Sequence, residues 1–150
     1  MHYTSLSILC NEHTLKHVME SYFRLLRYLT VVPDLSMDVF IKSILQMLEQ
    51  GDIHVAYTVE NGRIFIHGTA TLLYETKLIQ GGKKVGHIED IVVSPNYRDQ
   101  GIAKRLISIL TQMASETCYK VILDCPKELV PFYEKCHFVE KGVQMAHYFH

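Results

Sequence analysis

Apolar residues along the chain follow two rhythms, one of three to four residues and one of two, and the switches between them lay out the elements. From Asn11, a side chain that caps helices well, Leu15, Val18, Met19, Tyr22, Phe23, Leu26 and Leu29 keep the helical spacing, and Pro33 ends the run. Ser36 caps a second predicted helix, in which Phe40, Ile41, Ile44, Leu45 and Leu48 share a face and Gly51 closes the last turn. Ahead of both, YTSLSILC predicts a strand.

The rhythm then shortens. IHVAYTVE and RIFIHGTATLLYETK are β-rich runs joined by Asn61-Gly62, a dipeptide that accepts the positive φ angles of a type I′ hairpin. KLIQGGKK is either another hairpin turn or a loop facing a substrate, and KVGHIEDIVVS is a third β run. Helical spacing returns after Gly101 with Ile102, Leu106, Ile109, Leu110 and Met113, followed by the apolar strand YKVILDC, a short helix from Leu129 to Cys136 and an extended tail, GVQMAHYF. The order strand, two helices, three strands, helix, strand, helix, strand predicts an α+β (mixed α/β) layer fold.

Composition narrows the classes of function. A chain of 150 residues with 48% apolar content supplies one core, so a single domain over 1–150 is expected. The net charge of -1 gives no general field for nucleic acid or an anionic membrane, and anion recognition has to be local. No apolar segment approaches the roughly 20 residues that span a bilayer, and the amino-terminal segment lacks the pattern of a secretory leader. A soluble, cytoplasmic protein is the expectation. The four cysteines, Cys10, Cys118, Cys125 and Cys136, form no CxxC pair, and the nine histidines form no HExxH pair, so no metal site is expected.

Chemistry concentrates in GHIEDIVVSPNYRDQGIAKRL. A strand that feeds a helix through Arg98-Asp99-Gln100-Gly101-Ile102-Ala103 gathers unpaired N–H groups and the positive end of the helix dipole around one small volume. Gly101 lets the backbone approach a diphosphate, Ala103 does nearly the same, and Lys104 adds charge. The segment lacks the GKS or GKT ending of a nucleoside triphosphate loop and the GxGxxG of a dinucleotide fold. Upstream, regular alternation would send the side chains of Glu89 and Asp90 to opposite faces of the strand, so one of them faces inward or into a cleft.

The loop resembles the R/Q-x-x-G-x-G/A signature of the GCN5-related (GNAT) acetyltransferases. Within that superfamily GHIEDIVV, CYKVILDC, FYEKCHF and GVQM, in this order and spacing, are similar to the glucosamine 6-phosphate N-acetyltransferases, and Leu29-Thr30 and Lys77-Leu78-Ile79-Gln80 carry a thinner likeness. The resemblance implies the GNAT fold, a mostly antiparallel sheet flanked by helices. It implies acetyl transfer from the co-substrate acetyl-coenzyme A to the 2-amino group of glucosamine 6-phosphate by direct attack, with no metal.

It further implies roles for particular residues. The main chain of Ile91, Val92 and Val93 would bind pantetheine like an added strand. Arg98, Asp99, Gln100, Gly101, Ile102, Ala103 and Lys104 would hold the pyrophosphate. Tyr133 would be the general acid for the departing thiolate, as a phenol of pKa about 10 facing a thiol of about 8.5 can be. Glu89 and Asp124 would serve the amine end of the cleft, Asp124 also touching the cofactor. Thr30, Lys77, Leu78, Ile79, Gln80, Glu89, Asp90, Ile91, Tyr119 and Lys120 would meet the sugar phosphate. The resemblance implies a homodimer through the last strands, and it departs near the end, where Tyr148, beside His147, stands in place of a basic residue.

Two other functions fit the same residues. An acidic acceptor channel would favour a polyamine or a protein lysine as the amine, and an acyl-coenzyme A sensor would bind the cofactor without turnover. Cys125 or Cys136 would have to become a thiolate with a histidine beside it for an acyl-enzyme route.

Overall fold

The computed structural model describes residues 1–149. Five strands, β1 (His2–Ser5), β2 (Gly51–Glu60), β3 (Arg63–Thr76), β4 (Lys84–Val93) and β5 (Cys118–Ile122), lie in one sheet in chain order. Neighbours run antiparallel except β4 and β5, which are parallel because helix α4 (Ile102–Ser115) carries the chain back between them. Helices α1 (Leu6–Leu9), α2 (Leu15–Leu26) and α3 (Met37–Gln50) precede the sheet's long strands, and α5 (Val130–Glu134) follows β5.

Two apolar cores share the sheet. Val18, Tyr22, Phe23 and Leu25 of α2 with Phe40 and Ile44 of α3 pack on Ile53, Val55, Ile66 and Val92. Ile102, Leu106, Ile107 and Leu110 of α4 pack with Ala56, Ala70, Leu72 and Ile88 in the other cluster. The sheet is thus covered by both clusters along its middle.

Several expectations are met by local geometry. Asn61 and Gly62 take φ angles of +50° and +75°, as a type I′ turn demands, and the Ser36 hydroxyl accepts the Val39 N–H at 3.3 Å to cap α3. KLIQGGKK closes a hairpin through one 3₁₀ turn, with the Lys77 N–H bonded to the Lys83 carbonyl at 2.8 Å.

Others are corrected. YTSLSILC is a strand only to Ser5, after which Leu6 and Leu9, three residues apart, are both buried by a single helical turn rather than by alternation. α2 stops at Leu26, and Leu29 lies exposed in the connection. The broad apolar face of α3 is split: Phe40 and Ile44 enter the core, while Ile41, Leu45 and Leu48 face outward. GVQMAHYF pairs with no strand of this chain, so the last expected strand is absent among the described residues.

Candidate active site

One inserted residue makes the site. Across β3 and β4, Thr69 pairs with Val92 and Thr71 with Glu89, so Ala70 faces two residues, Asp90 and Ile91. Asp90 takes a φ of +50°, a left-handed value uncommon for a side chain with a Cβ. The extra residue changes which side chains face α4. Gly86 and Ile88 are buried on that face before it, and Ile91 and Val93 pack there after it.

The bulge coincides with the end of strand pairing on the other side. β4 meets β5 from Lys84 to His87, opposite Cys118 to Ile122, and beyond His87 it has no partner on that edge. A wedge therefore opens between Ile88–Val93 and the chain that continues β5 through Asp124. The Ile91–Val93 main chain borders it with amide and carbonyl groups free for an extended ligand.

Acidic side chains gather at the wedge. Half-buried Glu89 is pushed above the usual carboxylate range, first by burial, then by the charges of Asp124 and Asp90, with His87 opposing. The alternation expected for Glu89 and Asp90 is corrected by the bulge. Asp90 is exposed and acts electrostatically on both Glu89 and Tyr22, on the face that α2 covers.

Aromatic and sulfur groups gather around α5. Tyr133 of α5 is 8% exposed and sits edge-on between Phe132 and Phe138, with ring centroids at 5.0 Å and 6.2 Å. Burial pushes its phenol up to about 12, with Cys125 and Cys136 as neighbours. The same desolvation pushes both thiols up, so neither is activated as a nucleophile and the acyl-enzyme route loses its premise.

The loop between β4 and α4 has the form of an anion cradle. Gly101 is left-handed at φ +75°, and a Cβ built there would meet nothing within 4 Å, so the space over the loop is open. Asp99 is also left-handed, at φ +60°. Alternating backbone signs aim successive N–H groups toward one point, ahead of the unpaired amides of the first turn of α4. Arg98 and Gln100 turn back onto the Val93 and Asn96 carbonyls, at 3.4 Å and 3.3 Å, and stiffen the loop. These features fit the pyrophosphate and pantetheine of a coenzyme A thioester.

The expected sugar-phosphate contacts are less gathered. Lys77 is ion-paired with Glu75, whose other oxygen lies 2.8 Å from His87 Nε2. The Lys120 ammonium sits over the Tyr119 ring at 5.6 Å, and Leu78, Ile79 and Thr30 are exposed. Sequence reasoning missed Glu75, which lay in an ordinary β run, and Tyr22, which counted as one more apolar position of a helix. Among the described residues no cluster of His, Cys, Asp and Glu could hold a metal ion, and no helix is long and apolar enough to cross a membrane.

A parallel pair of strands that parts after His87 beside a bulge, with a loop of anion-cradle form at the following helix, is an arrangement suited to an acyl-coenzyme A-dependent transferase. Residues 15–138 match the acetyltransferase (GNAT) family, and the chain belongs to it. It is similar to the probable glucosamine 6-phosphate N-acetyltransferase 2 of Oryza sativa subsp. japonica, with 43% identity over 136 residues, 87% of this chain and 81% of that one. To glucosamine 6-phosphate N-acetyltransferase of Candida albicans the identity is 38% over 126 residues, 83% and 85% of the two chains. The crystal structure of glucosamine-6-phosphate N-acetyltransferase from Arabidopsis thaliana superposes with a TM-score of 0.82 at 31% identity, covering 99% of this chain and 98% of that one.

Proposed function

We infer that this chain is one acetyltransferase domain that moves the acetyl group of acetyl-coenzyme A to the 2-amino group of glucosamine 6-phosphate. The observation that carries the reading is the β4 edge, bulged at Asp90 and unpaired beyond His87, where the charges of Asp124 and Asp90 act on half-buried Glu89. The names of the relatives supply the acceptor.

Pantetheine lies along Ile91–Val93, and the pyrophosphate rests on the Gly101 loop, which brings the thioester to the bulge. The amine arrives as an ammonium, drawn by the three carboxylates. The nitrogen first gives up one proton to solvent, and Glu89, whose proton affinity burial raises, takes the second as the nitrogen attacks the thioester carbonyl. A backbone N–H of the β4 edge stabilises the oxyanion. The C–S bond then breaks, and the thiolate receives the Tyr133 proton. A phenol near 12 against a free thiol near 8.5 makes that transfer uphill by about 5 kcal/mol. The burial that raises Cys125 and Cys136 raises the coenzyme thiol lodged beside them, which narrows the gap. Solvent returns the proton from Glu89 and reprotonates Tyr133.

The acid cluster would suit any primary ammonium, so a polyamine or lysine acceptor is the second reading. Thiol release from acetyl-coenzyme A with glucosamine 6-phosphate, glucosamine, spermidine and a lysine peptide separates them. Release with the phosphorylated amino sugar alone is expected. Release led by spermidine or the peptide contradicts the sugar, and cofactor binding without release with any amine contradicts catalysis.

The homodimer belongs to the same proposal. Val143, Met145 and Phe149 alternate along a tail that pairs with nothing in its own chain, and β5 keeps an unpaired edge. Both are the features a strand exchange between copies would use. The cytoplasm is the proposed compartment, in keeping with four free cysteines.

A further inference from the structure

Two consecutive polar residues of α2, Ser21 and Tyr22, are buried against the sheet, and each meets it where a strand carries an extra residue. The Ser21 hydroxyl accepts the Ile66 N–H at 2.8 Å. That amide adjoins His67, the residue that β3 inserts where its pairing with Ala56 and Tyr57 of β2 shifts. Tyr22 serves the second irregularity. Thr69 and Thr71 flank Ala70 on β3, opposite the inserted residue of β4, and they are 0% and 1% exposed. Thr69 Oγ1 donates to the His54 carbonyl at 3.2 Å, while buried Thr71 Oγ1 makes no close hydrogen bond.

Tyr22 packs in one core with Val92, the residue paired with Thr69 beside the bulge, and the Thr69 and Thr71 hydroxyls and the Asp90 carboxylate all act on its phenol. Tyr22 is 5% exposed, and burial pushes the phenol up to about 12, so it remains a proton donor at any neutral pH. None of the steps derived above uses it. A buried hydroxyl is costly unless it bonds, so a phenol placed under a strained residue has a positional reason to be there.

We propose that Tyr22 is a positioning residue of the acceptor cleft: its phenol, buried beside Thr69 and Thr71 beneath the β4 bulge, holds Asp90 in its left-handed conformation and so fixes where Glu89 and Asp90 present their carboxylates. The cleft in question is that of the proposed acetyl transfer, and the statement rests on that reading. Ser21 secures the neighbouring bulge through Ile66, which leaves Tyr22 responsible for the one at the reacting atoms.

Tyr22→Phe keeps the ring and removes the hydroxyl. In the ligand-free variant, amide hydrogen exchange at Val92 and Thr69, which pair beside the bulge, is expected to quicken about tenfold while the amides of α4 keep wild-type rates. In turnover, kcat/KM for glucosamine 6-phosphate is expected to fall about tenfold, with the dissociation constant of acetyl-coenzyme A within about twofold of wild type. Thr71→Val should lose a comparable amount, Thr71→Ser should restore it, and the Tyr22→Phe/Thr71→Val double variant should be no worse than the poorer single one. Unchanged exchange at Val92 and Thr69 overturns the proposal. Exchange quickened equally in α4, with both substrates weakened, overturns it too, since that is a general packing role. Wild-type protein inactive toward glucosamine 6-phosphate would instead refute the substrate, and the exchange comparison would still decide the role of Tyr22.

Discussion

Two regions of the molecule, β4 at Glu89 and α5 at Tyr133, are perturbed by the same force to different ends. Burial raises the proton affinity of Glu89 on β4 and of Tyr133 on α5 alike. For the carboxylate this makes a stronger base out of a group that is nearly always ionised. For the phenol it secures a proton that is already in place. In the proposed transfer desolvation strengthens Glu89 as the proton taker, whereas it makes Tyr133 a more reluctant giver, and the difference lies in the reference state of each group. The carboxylate side is also crowded with like charge, whereas Tyr133 is packed edge-on between two aromatic rings.

Removing the proton giver should do the greater damage. Tyr133→Phe is expected to lower kcat about 100-fold or more while leaving acetyl-coenzyme A affinity within about threefold, measured by single turnover and by calorimetry. A kcat close to wild type would end the role of the phenol. On β4, Glu89→Gln should lower kcat/KM for the amine about 30-fold. In wild type, kcat/KM should fall at acid pH as Glu89 takes up its proton, and Asp124→Asn, which withdraws a neighbouring charge, should move that limb to lower pH.

Stability gives the complementary sign. A carboxyl whose folded pKa is raised costs stability above its unfolded pKa, and the cost disappears below it, where both states are protonated. Glu89→Gln should therefore raise the melting temperature at neutral pH, with the gain vanishing below about pH 4. A variant less stable at neutral pH would contradict the buried, crowded carboxylate.

A third substitution leaves both regions intact and attacks the shared cofactor. Gly101→Val should weaken acetyl-coenzyme A about tenfold or more by straining a left-handed position and filling the space over the loop, with thermal stability lowered as well. Tight binding by that variant would remove the loop from the site. The smallest effect concerns the frame around Tyr133. His137 stands at φ +68° where the chain leaves α5, with the Phe138 and Cys136 N–H groups both bonded to the Tyr133 carbonyl at 3.1 Å and 2.9 Å. His137→Gly should stabilise by about 0.5–1 kcal/mol in chemical unfolding, since glycine adopts that conformation without a Cβ clash. A loss of stability would show that the histidine side chain holds that frame.

Much of this was legible in order and spacing. The Asn61-Gly62 turn, the Ser36 cap, the helix after Gly101 and the strand that precedes it are local features, and local chemistry forecasts them. The bulge is different in kind. It exists only as a mismatch between β3 and β4, so GHIEDIVV by itself reads as regular alternation and misplaces Asp90. The burial of Tyr22 and Thr71 was invisible for a related reason, because they lie 49 residues apart in the chain, on α2 and β3. The Leu6–Leu9 turn and the unpaired tail show the same limit, since an apolar strand pattern does not say whether a partner edge lies within reach. At the site, the Arg98–Ala103 loop announced itself, whereas the tie between Lys77 and Glu75 came only with the fold.

The most direct measurement is product analysis with ¹³C-acetyl-coenzyme A and glucosamine 6-phosphate, combining NMR of the products with the intact mass of the protein. The account predicts the label as an amide on the 2-amino group of the sugar phosphate and a protein whose mass is unchanged after exposure to acetyl-coenzyme A alone. An ester product, no product, or a protein that carries a turnover-competent acetyl group before the acceptor is added would contradict it.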